Sequence, residues 1–100
     1  MFTSDNYPRL SHKEFIVLQL LVKRGEMYGL EMVTDSAGEL KRGTIYVTLQ
    51  RMTEKALVES RAESATNISR RQYKATDFGE KVFRSQELAL RYLNMNIKSR

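Results

Sequence analysis

The spacing of apolar residues changes twice along this chain, and those two changes restrict the fold more than any other feature of the sequence. From residue 11 to about residue 55 the apolar residues recur at three- and four-residue intervals, as in amphipathic helices. Between Leu57 and Ala75, two short segments of mixed polarity flank a polar turn, which favours a β-hairpin. Helical spacing returns after Thr76. The predicted order is therefore helices, one hairpin and a final helix.

The first helix is predicted over about residues 11–24. Ser11 and Glu14 have the spacing of a capping box, in which each side chain accepts a hydrogen bond from the other residue's backbone N–H. Gly25 follows two basic residues, a combination typical of a helix end. Residues 1–9, which contain the only proline of the chain, are predicted to form a short arm before this helix.

Two further helices are predicted before the hairpin. The second is short; it opens at Tyr28 and ends near Gly38. The third runs over about residues 42–55, and polar and basic side chains occupy much of its outer side. Its predicted buried face has apolar residues at helical spacing, namely Ile45, Leu49 and Met52.

The hairpin is predicted from strands over residues 57–62 and 70–75, joined by a turn over residues 63–69. Thr76 has the character of an N-cap, and the long last helix is predicted over residues 77–98. Two short helices, a third helix with a basic outer face and a basic hairpin are the parts of a winged helix-turn-helix.

The fold class that this order predicts is mainly α with one β-hairpin: a winged helix-turn-helix followed by a long C-terminal dimerisation helix. A chain of 100 residues is one domain at most. Residues 1–76 are predicted to form the arm and the DNA-binding domain, and residues 77–100 the dimerisation helix, in one compact unit.

The net charge of +5 is concentrated in the middle of the chain. Residues 41–74 hold eight basic and three acidic side chains, for +5, whereas residues 1–40 carry −2 and residues 75–100 carry +2. A basic stripe of this kind can neutralise phosphates and release their counterions. On a winged helix-turn-helix it predicts double-stranded DNA as the partner.

Several other classes of protein are not indicated by the sequence. There are no cysteines for disulfides or thiolate metal sites, and the single histidine, His12, falls short of a ligand set. No nucleophile–base pair or glycine-rich phosphate loop is recognisable. No apolar run approaches the roughly 20 residues of a membrane helix. We therefore predict a cytoplasmic protein with no catalytic site, cofactor or metal.

Four motifs follow one another in a fixed order: YGLEM at 28–32, GTIYVTLQRM at 43–52, EKALV at 54–58 and RRQYKATDFG at 70–79. Together they resemble the PadR family of transcriptional regulators, over about residues 11–84. Val47 stands where the family often has proline, and Ala56 where it often has glycine. The resemblance implies a homodimer made by the C-terminal helix, repression of transcription and, in some members, release by a small aromatic or drug-like ligand.

The residues predicted to contact DNA lie on the third helix, on the turn before it and on the wing. Thr44, Tyr46 and Thr48 occupy the half of the helix that usually goes deepest into a major groove. For Tyr46, burial against the core is an equal alternative. Strand alternation puts the two wing arginines on opposite faces, which leaves open the one that faces DNA. Arg51 and Lys55 are predicted to contact phosphates. Lys41 and Arg42 are further predicted DNA contacts, and the wing arginines, Arg70 and Arg71, are predicted to reach the minor groove or the flanking backbone.

The last helix has two apolar stripes, and one small domain rarely covers both. One stripe follows a seven-residue repeat and is the predicted dimer interface: Phe83, Leu90, Leu93 and Ile97. The other consists of Phe78, Val82, Ala89 and Tyr92. The alternative is a helix that its own N-terminal arm covers.

A dimer would place two copies of the third helix in successive major grooves about 34 Å apart, so the predicted site is an inverted repeat. A small aromatic effector, where one exists, is expected between the C-terminal and first helices, with Phe15 and Tyr92 as aromatic walls, as the resemblance implies. The alternative function is a winged-helix protein-interaction module without specific DNA binding.

Overall fold

In a computed structural model, residues 9–62 and 70–98 form four helices and a small three-stranded antiparallel sheet. The structure describes residues 9–62 and 70–98, and side chains as far as residue 94. The predicted arm up to residue 8, the predicted turn over residues 63–69 and the side chain of Ile97 lie outside this part. In chain order the elements are α1 (His12–Arg24), β1 (Met27–Tyr28), α2 (Gly29–Asp35), α3 (Ile45–Glu54), β2 (Val58–Ala62), β3 (Arg71–Ala75) and α4 (Asp77–Lys98).

Both ends of α1 form where the local sequence predicts them. The predicted capping box is present, since the Glu14 N–H donates to Ser11 Oγ at 3.2 Å and the Ser11 N–H donates to Glu14 Oε1 at 2.9 Å. At the other end, Gly25 has a φ of 87° and its N–H donates to the carbonyl of Leu21. This left-handed region is readily entered by glycine, which has no Cβ.

The sheet contains one strand more than the predicted hairpin. β2 and β3 pair in antiparallel register, with Val58 opposite Ala75. On the other edge of β3, β1 pairs with it through Met27 opposite Tyr73, which gives the order β1-β3-β2. With two residues, β1 is too short to show an alternating pattern in the sequence.

Both helices of the helix-turn-helix are shorter than the sequence predicts, because α2 ends earlier and α3 begins later. α2 ends at Asp35, because Ser36 Oγ accepts from the Leu40 N–H at 2.9 Å and closes a turn. α3 begins at Ile45 rather than near residue 42, since the backbone N–H groups of Thr44 and Ile45 both donate to the carbonyl of Lys41. Residues 41–44 therefore form a turn that leads into α3.

The core lies between α1, α2, α3, the sheet and the first turns of α4. The predicted buried face of α3 is confirmed, because Ile45, Leu49 and Met52 are at most 1% exposed. Other buried members of the core are Val17, Leu18, Leu21, Met32, Leu57, Val58, Tyr73, Val82 and Phe83.

The start of α4 is attached to the link between α3 and β2. The Thr76 hydroxyl donates to the carbonyl of Ala56 at 2.6 Å and accepts from the Gly79 N–H at 2.9 Å. The Thr76 N–H donates to the carbonyl of Leu57 at 3.1 Å. Gly79 lies directly against Leu57, so that an added Cβ would be 2.9 Å from the Leu57 carbonyl carbon and would collide with its oxygen. Thr76 thus caps α4, as predicted, and also joins its start to the link between α3 and β2.

The two ends of α4 have different environments. Near its start, Val82 and Phe83 are buried, and the Phe83 ring packs on Phe15 with 5.0 Å between centroids. From residue 88 to residue 94 every residue is exposed. That exposed segment carries large apolar side chains, namely Leu88, Leu90, Tyr92 and Leu93.

The predicted division of α4 into an inner and an outer stripe is corrected by this arrangement. Val82 and Phe83 come from different predicted stripes, yet both lie in the core. The buried and exposed residues of α4 are separated along the helix and not around it, because the helix extends beyond the body of the domain. Phe83 is 1% exposed and has no surface left for a partner. It is a core residue, and the candidate interface therefore begins at Leu90.

Candidate nucleic-acid interface

The outward side of α3 is a polar face with an apolar side chain at its centre. Thr44, Val47, Thr48 and Arg51 follow the three- and four-residue spacing that places residues on one side of a helix. We call these four residues the α3 face. Val47 is 54% exposed. The α3 face and the first turn of α1 border a cleft of about 300 Å³, with Ser11, Lys13 and Glu14 on its other wall.

Positive charge lies at both ends of the α3 face. Lys13 reaches across from α1, and its Nζ donates to Thr44 Oγ1 at 3.3 Å. Lys41 and Arg42 lie exposed in the turn before α3, and Arg51 lies exposed in its last turn. Within residues 9–62 and 70–94, none of these three has an acidic side chain at ion-pair distance. Their charges remain available to an anionic partner.

Lys55 has a different role. Its Nζ lies 2.7 Å from Glu14 Oε2, and the Glu14 side chain is 7% exposed. Burial raises the pKa of this carboxyl, but the hydrogen bonds from Lys55 and Ser11 outweigh burial and hold the pKa below the ordinary value of 4.5. The Lys55 ammonium thus neutralises a buried carboxylate and ties the end of α3 to the start of α1. Its side chain is still 45% exposed, and its phosphate contact remains a prediction.

This buried pair predicts a pH-dependent stability. The pKa of Glu14 is lower in the folded chain than in the unfolded one, so its stabilising contribution is present above the unfolded pKa and is lost as the pH falls through the folded value. At pH 7 we expect Lys55→Met to lower the free energy of unfolding by about 1–3 kcal/mol, because it leaves a buried carboxylate unpaired. Urea unfolding at several pH values measures this difference.

The difference between wild type and Lys55→Met should shrink as the pH falls below about 5, where protonation of Glu14 begins to remove the charge that Lys55 neutralises. The matched control is Lys81→Met, which removes an exposed lysine from α4 and should have little effect at any pH. Equal losses in the two variants, or a Lys55→Met loss that persists unchanged to pH 3, would contradict the assignment.

Tyr46 is a residue of α3 whose ring packs towards α2, and it does not present its hydroxyl to a partner. Its ring lies against Gly29 of α2, where an added Cβ would be 2.9 Å from Tyr46 Cε1. The hydroxyl is buried and makes no hydrogen bond with the described residues. Burial raises the pKa of the Tyr73 hydroxyl. The charge of Arg71 opposes this increase, and the electrostatic interaction with Tyr46 adds to it. The buried hydroxyl favours the packing alternative for Tyr46, between α2 and α3, and a contact of its ring with DNA remains a prediction.

The two arginines of the wing differ in what they present to solvent. Arg71 is half-buried, and its Nη1 donates to Ser60 Oγ across the hairpin at 3.0 Å. Arg70 lies exposed just before β3. Another basic residue of the wing, Arg61, is paired with Glu26 at 2.8 Å, and this hydrogen bond lowers the pKa of Glu26. Of the two predicted wing contacts, Arg70 is the more exposed, and both remain predictions.

The structure adds two residues to the predicted set. Val47 could have been recognised from the sequence, because it lies three residues after Thr44 and four before Arg51. Lys13 could not, since only the packing of α1 against α3 brings its ammonium to Thr44. The structure does not bring Phe15 and Tyr92 together in one chain: Phe15 packs on Phe83, and Tyr92 lies nine residues farther along α4, about 13 Å of helical rise.

A helix-turn-helix that exposes unpaired cations beside a β-hairpin wing defines the class of winged-helix nucleic-acid-binding proteins. Within that class, the chain belongs to the transcriptional regulator PadR-like family, whose model matches residues 17–85. Members of this family are transcription regulators and not enzymes, which implies DNA binding. A comparison with curated proteins found no match. Among the described residues, none of the helices has the length and apolar character needed to cross a membrane.

Solved structures of low sequence identity share this fold. A PadR family transcription regulator from hypervirulent Clostridium difficile R20291 is 22% identical, with a TM-score of 0.74 over 89% of this chain and 97% of that one. A PadR-like transcription factor from Bacteroides fragilis is 24% identical, with a TM-score of 0.71 over 87% of each chain. The PcaV transcriptional regulator from Streptomyces coelicolor, solved with its natural ligand, is 20% identical, with a TM-score of 0.73 over 90% of this chain and 62% of that one.

Proposed function

We propose that this chain is a dimeric, sequence-specific DNA-binding repressor that recognises an inverted repeat. The α3 face and the turn before it carry the proposal, because together they expose hydroxyl groups, an apolar side chain and three cations. Lys41, Arg42 and Arg51 have no acidic partner among the described residues. Such an arrangement matches the negative backbone and polar base edges of duplex DNA.

In the proposed complex, α3 lies in the major groove, which is about 12 Å wide and admits a helix. Thr44 and Thr48 face base edges or phosphates through their hydroxyls. The cations at the two ends of α3 contact phosphates and set its position, and Arg70 on the wing reaches the flanking backbone. Repression then follows from occupation of the DNA that transcription requires.

The second copy is proposed at the exposed end of α4. Leu90 and Leu93 are 47% and 55% exposed, and they continue the line of Phe83 beyond the domain body. Isolated helical segments of this length are marginal in water. Pairing with the same segment of a second chain would bury these leucines and support the helix. Two DNA-binding domains joined in this way read two half-sites.

The proposal extends to a small aromatic effector bound between the protomers. Tyr92 is 63% exposed and lies far from Phe15 in the same chain. A site that contains both rings therefore needs Tyr92 from one protomer and Phe15 from the other. The PcaV regulator, which shares this fold, was solved with its natural ligand. A ligand held there would bind across the dimer and could change the spacing of its two α3 helices.

A salt titration of DNA binding tests the central proposal. Wild type and Arg51→Ala are titrated on a duplex from the protein's own upstream region and on a random duplex. Loss of one phosphate contact should flatten the slope of log affinity against log salt concentration by about 0.9, hence by about twice that for a dimer. Affinity should fall on both duplexes, because a phosphate contact carries no sequence information.

The matched control is Arg84→Ala, which removes an exposed arginine that is paired with Glu80 on α4, away from the α3 face. It should keep the wild-type affinity and slope. Wild type that binds neither duplex in a salt-dependent way would contradict the proposal, and a protein-interaction role for the winged helix would replace it. An Arg51→Ala slope equal to that of Arg84→Ala would remove Arg51 from the interface.

A further inference from the structure

Val47 is the member of the α3 face that cannot make a hydrogen bond. It is 54% exposed, it lies in the first turn of α3, and it shares that face with two threonines and Arg51. The first turns of such a helix usually contact base edges. In the proposed complex, Val47 therefore contacts the edges of base pairs.

The chemistry of the major groove restricts what an apolar side chain can meet there. Thymine is the base that presents a methyl group in this groove, at its C5, whereas the other bases are distinguished there by their hydrogen-bond donors and acceptors. Valine set against a donor or acceptor would displace water without replacing its hydrogen bond, which is unfavourable. When valine contacts a methyl group, apolar surface of both groups is removed from water, which is favourable.

We infer that Val47 is a specificity-determining residue that contacts the C5-methyl group of one thymine in each half-site. The inference rests on the proposed function and deepens it by naming a feature of the recognised sequence. Thr44 and Thr48 flank Val47 and supply hydrogen bonds to the neighbouring groups, and Arg51 holds the phosphate backbone.

The position of the Val47 methyl groups is fixed by its rotamer and by the packing of α3, which a specific contact with one thymine requires. A β-branched side chain in a helix has one strongly preferred χ1 rotamer, so the direction of its methyl groups is set. α3 itself is held at its end by the Lys55–Glu14 pair and from behind by Tyr46 packed on Gly29. The apolar surface of Val47 is thus presented in one place relative to the rest of the domain.

The test removes the methyl group from the DNA. Duplexes bound by wild type are selected from a random-sequence pool, and each thymine of the selected site is then replaced singly by deoxyuridine, which pairs identically and lacks the methyl. At one position in each half-site, wild-type affinity should fall about four-fold, the factor expected for loss of one buried methyl group. Val47→Ala should bind the parent duplex more weakly and should show no penalty at that position.

Arg51→Ala is the matched control, since it should bind more weakly and keep the four-fold deoxyuridine penalty. Alanine is a better helix former than valine, so Val47→Ala should stay folded, and thermal unfolding checks this. A selected site where no deoxyuridine weakens wild type, or a penalty that persists in Val47→Ala, would overturn the inference alone. Wild type that selects no sequence from the pool would overturn the proposed function, and this inference with it.

Discussion

Gly79→Ala is expected to lower the free energy of unfolding by about 3 kcal/mol or more, the upper range for an overpacked core. The added methyl would collide with the Leu57 carbonyl oxygen, which is backbone and cannot rotate away. Leu57 is also held on both sides, because its carbonyl accepts from the Thr76 N–H and its own N–H donates to the carbonyl of Met52. Urea unfolding followed by circular dichroism measures the loss.

Two substitutions serve as controls for Gly79→Ala. Gly43→Ala adds the same methyl where nothing lies within 4 Å, and it should leave stability nearly unchanged. Ala56→Gly makes the opposite change at the same junction, at a residue with a φ of 62°. There it should raise the free energy of unfolding by up to about 1 kcal/mol, since glycine enters that region without strain. A Gly79→Ala protein as stable as Gly43→Ala would show that the junction can open.

The double substitution Leu90→Glu/Leu93→Glu is expected to convert a wild-type dimer into a folded monomer. Full burial of a leucine contributes about 1.5–3 kcal/mol, and a symmetric interface would bury each of these two residues twice. The introduced carboxylates also repel one another across the interface. Because both residues are exposed and lie beyond the core, the monomer should keep the helical content and core packing of the wild type. Sedimentation velocity at micromolar concentration separates the two states.

Ser85→Glu/Leu88→Glu is the matched control for the dimer. It adds the same two charges at exposed positions on the opposite side of α4. This variant should remain dimeric. A monomeric wild type would contradict dimerisation through α4, whereas separation of the protomers by Ser85→Glu/Leu88→Glu alone would move the interface to the other side of the helix.

Much of the fold could be predicted because its signals are local. The capping box of α1, the glycine at its end and the apolar face of α3 each depend on residues a few positions apart. Such patterns can be read without knowledge of the rest of the chain. The hairpin and α4 were predicted within about one residue for the same reason.

Part of the candidate site could be predicted in the same way. Helical spacing was enough to place Thr44, Thr48 and Arg51 on the outward side of α3, since the buried side was already marked by apolar residues. The cation from α1, Lys13, was not predicted, because its approach to Thr44 depends on the angle at which two helices pack.

By itself, the sequence determined the order and type of the main elements, the buried side of α3 and the concentration of positive charge around it. Tertiary structure decided how those elements share their side chains. It assigned Lys55 to Glu14, 41 positions away, and turned Tyr46 against α2. It also buried Phe83 while leaving Leu90 exposed on the same line of α4. The physical reason is common to these cases: periodicity reports the direction in which a side chain points, and only packing decides what lies there.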